Sequence, residues 1–284
     1  MKRQFAYGLI AACAAIALAA ACSPAAPVAA APTAPAAPVA MTMPEVTIYH
    51  LEGRRSERIV WLMEELGLPY KLEFVRGDLA ASMAKIRAIN PGMAVAPTVT
   101  IGDQVLTESG AIIETIINRY APGKLTPPLD SVDYPNHQIW MHHAEGSLAS
   151  RVIADYRVWM SAPPKTRSRL VDSEDEVQFA EDYLGKHPWF GGAEFTAADI
   201  MMVFPLNFAM QLNIVDKTKF PNINAWKAKI EQRPAYQAML AKARPDGIPG
   251  SPAALPAHPA FGPRAPAAPA AAAPAPAPAP AKPQ

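Results

Sequence analysis

Residues 49–70 read YHLEGRRSERIVWLMEELGLPY, and this stretch predicts the end of a strand, a charged loop and a helix. One face of the helix carries apolar residues at the i, i+3, i+4, i+7 spacing, namely Ile59, Leu62, Met63 and Leu66. Gly67 and Pro69 end this pattern, because glycine favours a helix terminus and proline cannot continue a helix. A short strand joined to a helix in this way is the first unit of an α/β domain.

The segments around this stretch complete an α/β half. Residues 46–49 are β-branched or aromatic and predict a buried strand before the loop. Downstream, the patterns predict a strand at 70–75, a helix at 79–89, a hairpin at 97–106 and a helix at 112–120. The order βαβ, α, ββα predicts a small mixed sheet with helices on both of its faces.

The patterns after residue 135 are helical. Helices are predicted at 136–161, 173–185, 197–213 and 222–232, with a final turn near 235–242. The sequence Thr196-Ala197-Ala198-Asp199 predicts a capping box, in which the threonine hydroxyl and the aspartate each accept from a free amide at the helix start. The helix that opens at Asp199 is almost wholly apolar, which predicts that it lies at the buried centre of this half.

Two tracts of alanine and proline, 24–40 and 249–284, flank these elements. Such tracts have little to bury, so they cannot offset the entropy of ordering themselves and are predicted to be disordered, semi-extended tails. The formal net charge of the 284-residue chain is +1. A nucleic-acid-binding protein would show a basic stripe, so we expect no nucleic-acid partner.

Both cysteines, Cys13 and Cys22, lie in the first 22 residues. The rest of the chain therefore has no thiolate metal site and no cysteine nucleophile. This excludes a glutaredoxin-type mechanism, which needs a protein thiol.

The first 22 residues have the three-part pattern of a secretory signal. Lys2 and Arg3 precede an apolar run, 5–21, which is short for a membrane span. Small residues before Cys22 resemble a lipoprotein processing box with Cys22 as the lipidated residue, although leucine stands one position too early. The residues before Cys13 fit that box better but leave a very short apolar stretch.

These features predict a lipoprotein on the periplasmic side of a bacterial membrane, with residues 23–43 as a Pro/Ala linker behind Cys22. An alternative is that translation starts at Met41 or Met43, just before the first strand. The protein would then be cytoplasmic.

Several stretches of the body, in order, resemble the glutathione S-transferase family. They are residues 49–70, 90–97, 106–112, 196–199 and 221–236. The resemblance implies a thioredoxin-like α/β domain at 44–124 and an all-α C-terminal domain at 132–244, and the Pro/Ala composition predicts a disordered tail at 245–284. It also implies glutathione as co-substrate, no metal cofactor and a homodimer.

The resemblance implies a glutathione-binding stretch at Val95, Ala96 and Pro97 and a second at Glu108 and Ser109. A cis Ala96–Pro97 bond would turn the Ala96 amide and carbonyl outward toward an extended peptide. The Glu108 carboxylate can pair with the γ-glutamyl ammonium. The Ser109 hydroxyl and the free amides of a helix start can bind the adjacent carboxylate. An N-cap serine beside a first-turn acid is the ordinary alternative.

Catalysis in this family lowers the thiol pKa of bound glutathione, commonly through a serine or tyrosine near the first helix. Here Gly53 or Arg54 occupies the serine positions, and no tyrosine lies where it could donate to the thiol. Arg54 could stabilise the thiolate as a cation, helped by the helix N-terminus, or Ser56 could supply a hydroxyl. The alternative is that Arg54 is a solvated loop charge.

The second half would line the pocket for the electrophile. Trp140, His143 and Tyr156 are candidates on its first helix, although an aromatic stripe at helical spacing is also typical of core or of a dimer interface. Two adjacent histidines on a helix point about 100° apart, so His143 is not expected to bind a metal with its neighbour.

The leading functional hypothesis is an enzyme that activates the glutathione thiol for attack on small apolar electrophiles or peroxides. Two alternatives remain open on the sequence. One is a non-catalytic module that binds glutathione or another ligand, and the other is a glutathione-dependent disulfide reductase.

Overall fold

The structure is a computed structural model, and it describes residues 41–161 and 173–249. In these ranges the first half contains β1 (Val46–Tyr49), α1 (Glu57–Leu66), β2 (Lys71–Glu73), α2 (Leu79–Ile89), β3 (Thr98–Ile101), β4 (Gln104–Leu106) and α3 (Ser109–Tyr120). The second half contains α4 (Tyr134–His143), α5 (Ser150–Ser161), α6 (Glu174–Leu184), α7 (Ala197–Gln211), α8 (Pro221–Glu231) and α9 (Pro234–Ala243). The predicted fold class, an α/β half followed by an all-helical half, is confirmed.

The four strands form one mixed sheet in the order β2-β1-β3-β4. Strand β1 pairs parallel to β2, since the helix α1 connects them, whereas β3 runs antiparallel to both β1 and β4. Tyr49 at the end of β1 lies opposite Thr98 at the start of β3. Leu106 at the end of β4 lies opposite Val99. The loops that follow β1 and β4 and the segment that precedes β3 therefore leave the sheet at one edge.

The predicted helix 136–161 is interrupted. Between α4 and α5 the residues Ala144–Ala149 form a π-helical turn. Such a turn accommodates an extra residue without ending the helix and rotates the residues that follow it. The apolar periodicity of the sequence did not indicate this insertion.

Helix α7 lies at the buried centre of the second half, as predicted. Ala197, Ala198 and Asp199 at its start are each at most 1% exposed. The predicted capping box is present: the Thr196 side chain accepts from the Ala198 amide, and Asp199 accepts from the Thr196 amide at 2.9 Å. The box fixes the start of α7 against the rest of the half.

The chain stays packed beyond the end of α9. Residues Pro245–Pro249, predicted as the start of a disordered tail, lie against the first half through Asp246 and Ile248. The predicted signal 1–22, Cys22, most of the linker and the tail from 250 lie outside the described residues. In 41–161 and 173–249, no helix is both long and apolar enough to cross a membrane.

Candidate active site

The one sheet edge brings together the three segments that the sequence analysis singled out. They are the loop 50–56 after β1, Val95–Pro97 before β3, and Glu108–Ser109 after β4. Helix α3 begins at Ser109 and helix α1 at Glu57, so two helix N-termini open at the same edge. A helix N-terminus presents free amides and favours negative charge, which suits a ligand with carboxylate and thiolate groups.

Glu108 holds an uncommon backbone conformation, with φ of 67°. Non-glycine residues adopt this region only where the surroundings compensate for the strain, which is a recurrent feature of binding sites. Among the described residues, its exposed carboxylate makes no capping hydrogen bond to α3. Ser109 is the first residue of α3, not its cap, and is 3% exposed. The ordinary capping explanation therefore does not account for this pair.

The segment before β3 has the predicted cis peptide bond between Ala96 and Pro97. Pro97 is buried, while Val95 is 37% exposed. The Val95 carbonyl accepts from the Thr98 hydroxyl at 2.7 Å. Val95 thus offers an apolar side chain at the surface.

Arg58 of α1 connects the two halves beneath the site. Its guanidinium, 3% exposed, donates to Glu145 at 2.5 Å and to the Ser109 hydroxyl at 3.3 Å. It also donates to the Met201 carbonyl at 2.5 Å. That carbonyl lacks its usual helical partner, because Pro205 four residues later has no N–H. Since Arg58 donates to Ser109, the serine keeps its own hydroxyl proton for a ligand.

The π-helical turn places Glu145 between two arginines. Besides Arg58, Arg55 donates to both Glu145 oxygens at 2.8 and 2.9 Å and lies over the Phe204 ring. Burial would raise the pKa of the Glu145 carboxyl, but the two guanidiniums outweigh it and hold the pKa below its usual value. Arg55 is therefore a fixed structural charge. The pairing of Glu145 with these arginines was not predicted from the sequence, because its neighbours in the helix gave no sign of a partner near α1.

Ser56 lies away from the cleft and is fully buried. Its hydroxyl oxygen accepts from the Leu51 amide at 3.0 Å and lies 2.8 Å from His50 Nδ1. His50 Nε2 donates to the Ala243 carbonyl at 2.6 Å. Burial lowers the pKa of His50 to about 4, so the ring is neutral at pH 7. The hypothesis that Ser56 donates to a bound thiol is not supported, since its bonding capacity is used within the loop.

A cleft that is open to solvent lies between α1, α7 and the end of α9. It is lined on the first half by Gly53, Arg54 and Trp61, and on α7 by Val203, Phe204 and Phe208. The lining is apolar with a few polar groups, which is typical of ligand-binding clefts. Half-buried Arg54 uses Nη1 to donate to the Gly53 carbonyl at 3.3 Å, which engages one of its five N–H groups.

The predicted electrophile-pocket residues do not line this cleft. Trp140 is 1% exposed and packs against Phe179 and Phe190, so it belongs to the core of the second half. His143 packs edge-on against Trp140. Their helical spacing indicated a buried stripe but not which side of the helix faces the cleft. Tyr156 comes nearer, because its ring contacts the cleft residue Phe208 at 5.5 Å.

Three further cleft residues were not predicted from the sequence: Glu57, Arg244 and Ile248. Burial raises the pKa of the Glu57 carboxyl, while Arg244 and the Gly53 amide act to lower it. The Pro-Asp-Gly sequence at 245–247 is a turn signal that could have indicated the return of Ile248 to the body. In the part of the chain that the structure describes, no group of three His, Cys, Asp or Glu could hold a metal ion.

Comparison with known families matches both halves of the chain. Residues 54–119 match the family described as glutathione S-transferase, N-terminal domain. Residues 168–234 match the family described as glutathione S-transferase, C-terminal domain. Among characterised proteins, glutathione S-transferase 3 of Schizosaccharomyces pombe is 28% identical over 214 residues, covering 69% of this chain and 87% of that protein.

Solved structures of the same family are also similar to this chain. A glutathione S-transferase from Actinobacillus pleuropneumoniae is 30% identical with a TM-score of 0.61, and the match covers 72% of this chain and 94% of that one. A theta-class glutathione S-transferase from Xanthomonas axonopodis pv. citri, with glutathione bound, is 26% identical with a TM-score of 0.52. That match covers 71% of this chain and 99% of the other.

Proposed function

The chain belongs to the glutathione S-transferase family and has a glutathione S-transferase-like function, and from this premise we propose that it is an active enzyme that ionises the glutathione thiol for attack on small apolar electrophiles or peroxides. With an aryl halide, the reaction joins the thiolate sulfur to an electrophilic carbon, and the halide leaves with its bonding electron pair. The thiol proton passes to solvent. Glutathione would lie along Val95–Pro97 and Glu108–Ser109, with its sulfur near Arg54.

One observation carries this proposal: the strained Glu108 and the buried Ser109 lie at the same sheet edge as an apolar cleft. Among the described residues, the Glu108 carboxylate makes no capping hydrogen bond, and Arg58 donates to the Ser109 hydroxyl. The cleft next to Gly53 and Arg54 offers an apolar surface to a second molecule. A site for glutathione alone would not need that apolar surface.

The test is a screen of the purified protein with glutathione and each of three substrates: an aryl halide, a hydroperoxide and a mixed disulfide. We expect turnover of the halide or the hydroperoxide above the rate without protein. Activity with the mixed disulfide alone would favour a glutathione-dependent reductase. Glutathione binding without turnover of any substrate would contradict the enzyme proposal.

The Glu108→Ala variant is expected to raise the Kd for glutathione about tenfold, because one charge-assisted hydrogen bond to the γ-glutamyl ammonium is lost. The maximal rate should change little, since that ammonium is far from the reacting sulfur. Titration calorimetry and initial rates measure the two quantities. Glu194→Ala, which removes another exposed acid, serves as the control. An unchanged Kd in Glu108→Ala would show that glutathione binds elsewhere.

We also propose a homodimer, since the family usually pairs the first half of one subunit with the second half of the other. Trp140 and Met141 of α4 are buried, but Ile139 on the same helix is 50% exposed. Leu129 and Val132 before that helix are 80% and 90% exposed. We expect light scattering to give twice the chain mass for the wild type and for Ile139→Leu, and a monomer for Ile139→Glu. A wild type that is monomeric at all concentrations would contradict the proposal.

Export and lipid anchoring at Cys22 remain our proposal for the N-terminal segment. A single acyl chain anchors weakly, so more than one acyl chain would be needed for stable attachment. In a bacterial host, Cys22→Ala should move the protein from the membrane fraction to the soluble fraction, and Cys13→Ala should not. A mature protein that starts at Met41 or Met43 would contradict the proposal and place it in the cytoplasm.

A further inference from the structure

A tight turn follows the last helix, and the sequence Arg244-Pro245-Asp246-Gly247-Ile248 specifies it. Pro245 cannot continue α9, and the Gly247 amide donates to the Arg244 carbonyl at 3.0 Å, which closes the turn. Gly247 has a φ of 89°, a conformation that glycine adopts without strain. The chain therefore reverses and carries Ile248 back toward the first half.

Two ion pairs hold this turn on the first half. Arg244 lies 3.5 Å from Glu57 at the start of α1. The guanidinium of Arg76 donates from Nε and Nη2 to both carboxylate oxygens of Asp246. Such a two-point pair fixes direction as well as distance. The turn is thus oriented by one group on helix α1 and one on the loop after β2.

The loop that carries Arg76 is itself tied to the cleft. The buried Glu52 carboxylate accepts from the Gly77 amide at 2.7 Å. Glu52 directly precedes Gly53, whose φ is 69°. A Cβ at position 53 would collide with the Ile248 side chain. Ile248 therefore fills the space that any larger residue at 53 would need.

We propose that Ile248 is a specificity-determining residue that forms the aliphatic wall of the cleft beside Gly53 and Arg54. Ile248 lines the cleft together with Phe204 and Phe208 of α7, and its side chain lies against Gly53. A branched side chain at this point leaves a slot for slim electrophiles, such as those with a single aromatic ring, and excludes fused-ring electrophiles. This inference rests on the proposed function, because it assigns the substrate class of the same site.

The activity test compares two aryl halides with glutathione, chlorodinitrobenzene with one ring and a matched halide on a naphthalene ring. Ile248→Ala should raise kcat/KM for the naphthyl halide about tenfold relative to the one-ring halide, as expected for a few methyl or methylene groups in an apolar pocket. Ile248→Val should shift the ratio less in the same direction. Equal changes for both halides would overturn the proposal.

A substitution in the turn, compared with two control variants, tests the turn itself. Asp246→Asn weakens the exposed pair with Arg76 and should shift the same ratio by a smaller factor, about twofold. Asp130→Asn, at an exposed position before α4, and Glu194→Gln, at an exposed position before α7, should leave the ratio unchanged. A shift of equal size in these controls would also overturn the assignment.

A binding measurement tests the role of Ile248 in the cleft independently of catalysis. Anilinonaphthalene sulfonate, a fluorescent fused-ring probe, is titrated into the full chain without glutathione, and thermal unfolding confirms that each variant is folded. Ile248→Ala should lower the Kd of the probe about tenfold relative to wild type. If no variant turns over either halide but the probe shows this change, the proposed enzymatic function is wrong. The proposal that Ile248 forms a wall of the cleft is then still supported. An unchanged Kd overturns the wall whether or not the enzyme is active.

Discussion

Replacing Asp199 by alanine is expected to lower the free energy of unfolding by about 3–5 kcal/mol, because several buried donors lose one shared acceptor. Its Oδ1 accepts from the Phe190 amide at 2.9 Å and from Trp226 Nε1 at 2.8 Å. Its Oδ2 accepts from the Thr196 amide. Asp199 is fully buried, so water cannot replace these bonds without entering the core.

The pKa of the Asp199 carboxyl reflects its burial and its hydrogen bonds. Burial raises its pKa to about 6, while the hydrogen bonds from Thr196, Phe190 and Trp226 act to lower it. It is therefore mostly ionised at pH 7, and the donors stabilise a charge and not merely a dipole. Alanine at this position removes the whole arrangement that joins the start of α7 to α8.

Urea unfolding of the full chain measures this loss, and the melting temperature should fall by about 10 °C. Asp199→Asn should cost less, because one acceptor oxygen remains. Asp130→Ala, at an exposed position, is the matched control and should change the free energy of unfolding by less than about 0.5 kcal/mol. A loss below about 1 kcal/mol in Asp199→Ala would show that the core rearranges to satisfy the donors.

The Arg54→Ala variant is expected to raise the thiol pKa of bound glutathione by about one to two units, because a guanidinium is always charged and stabilises a nearby thiolate. Arg54 lines the cleft three residues before α1 begins, so the helix N-terminus adds to the same field. Arg55 cannot substitute for it, since Glu145 holds that side chain. At a pH below the thiol pKa the rate should fall about ten- to a hundredfold with the thiolate fraction.

Thiolate absorbance against pH, with glutathione saturating, measures this pKa in each variant. Arg54→Lys keeps the charge and should retain most of the effect, whereas Arg87→Ala removes an exposed arginine of α2 and should have none. Ser56→Ala should leave the thiol pKa unchanged, since its hydroxyl is bonded within the loop. A wild-type thiol pKa near about 8.5, the ordinary value for cysteine, would contradict the mechanism.

The sequence by itself determined the elements and their order, apart from the π-helical turn between α4 and α5. Local signals carry this information: the apolar spacing of α1, the Gly-Asp turn between β3 and β4, and the capping box at Thr196 and Asp199 each depend on neighbours within a few residues. The cis bond at Pro97 and the Glu108–Ser109 pair were also predicted, because these residues match a family pattern. Their positions then follow from strand order.

Only the tertiary structure decided which side chains face the cleft. Ser56 and Trp140 have the right chemistry at suitable positions in the chain, yet packing against His50 and against Phe190 buries them. The contacts of Arg58 with Glu145 and of Gly53 with Ile248 join residues 87 and 195 positions apart. No periodicity or local motif records such pairs, because their energy arises only when the two halves and the final turn come together.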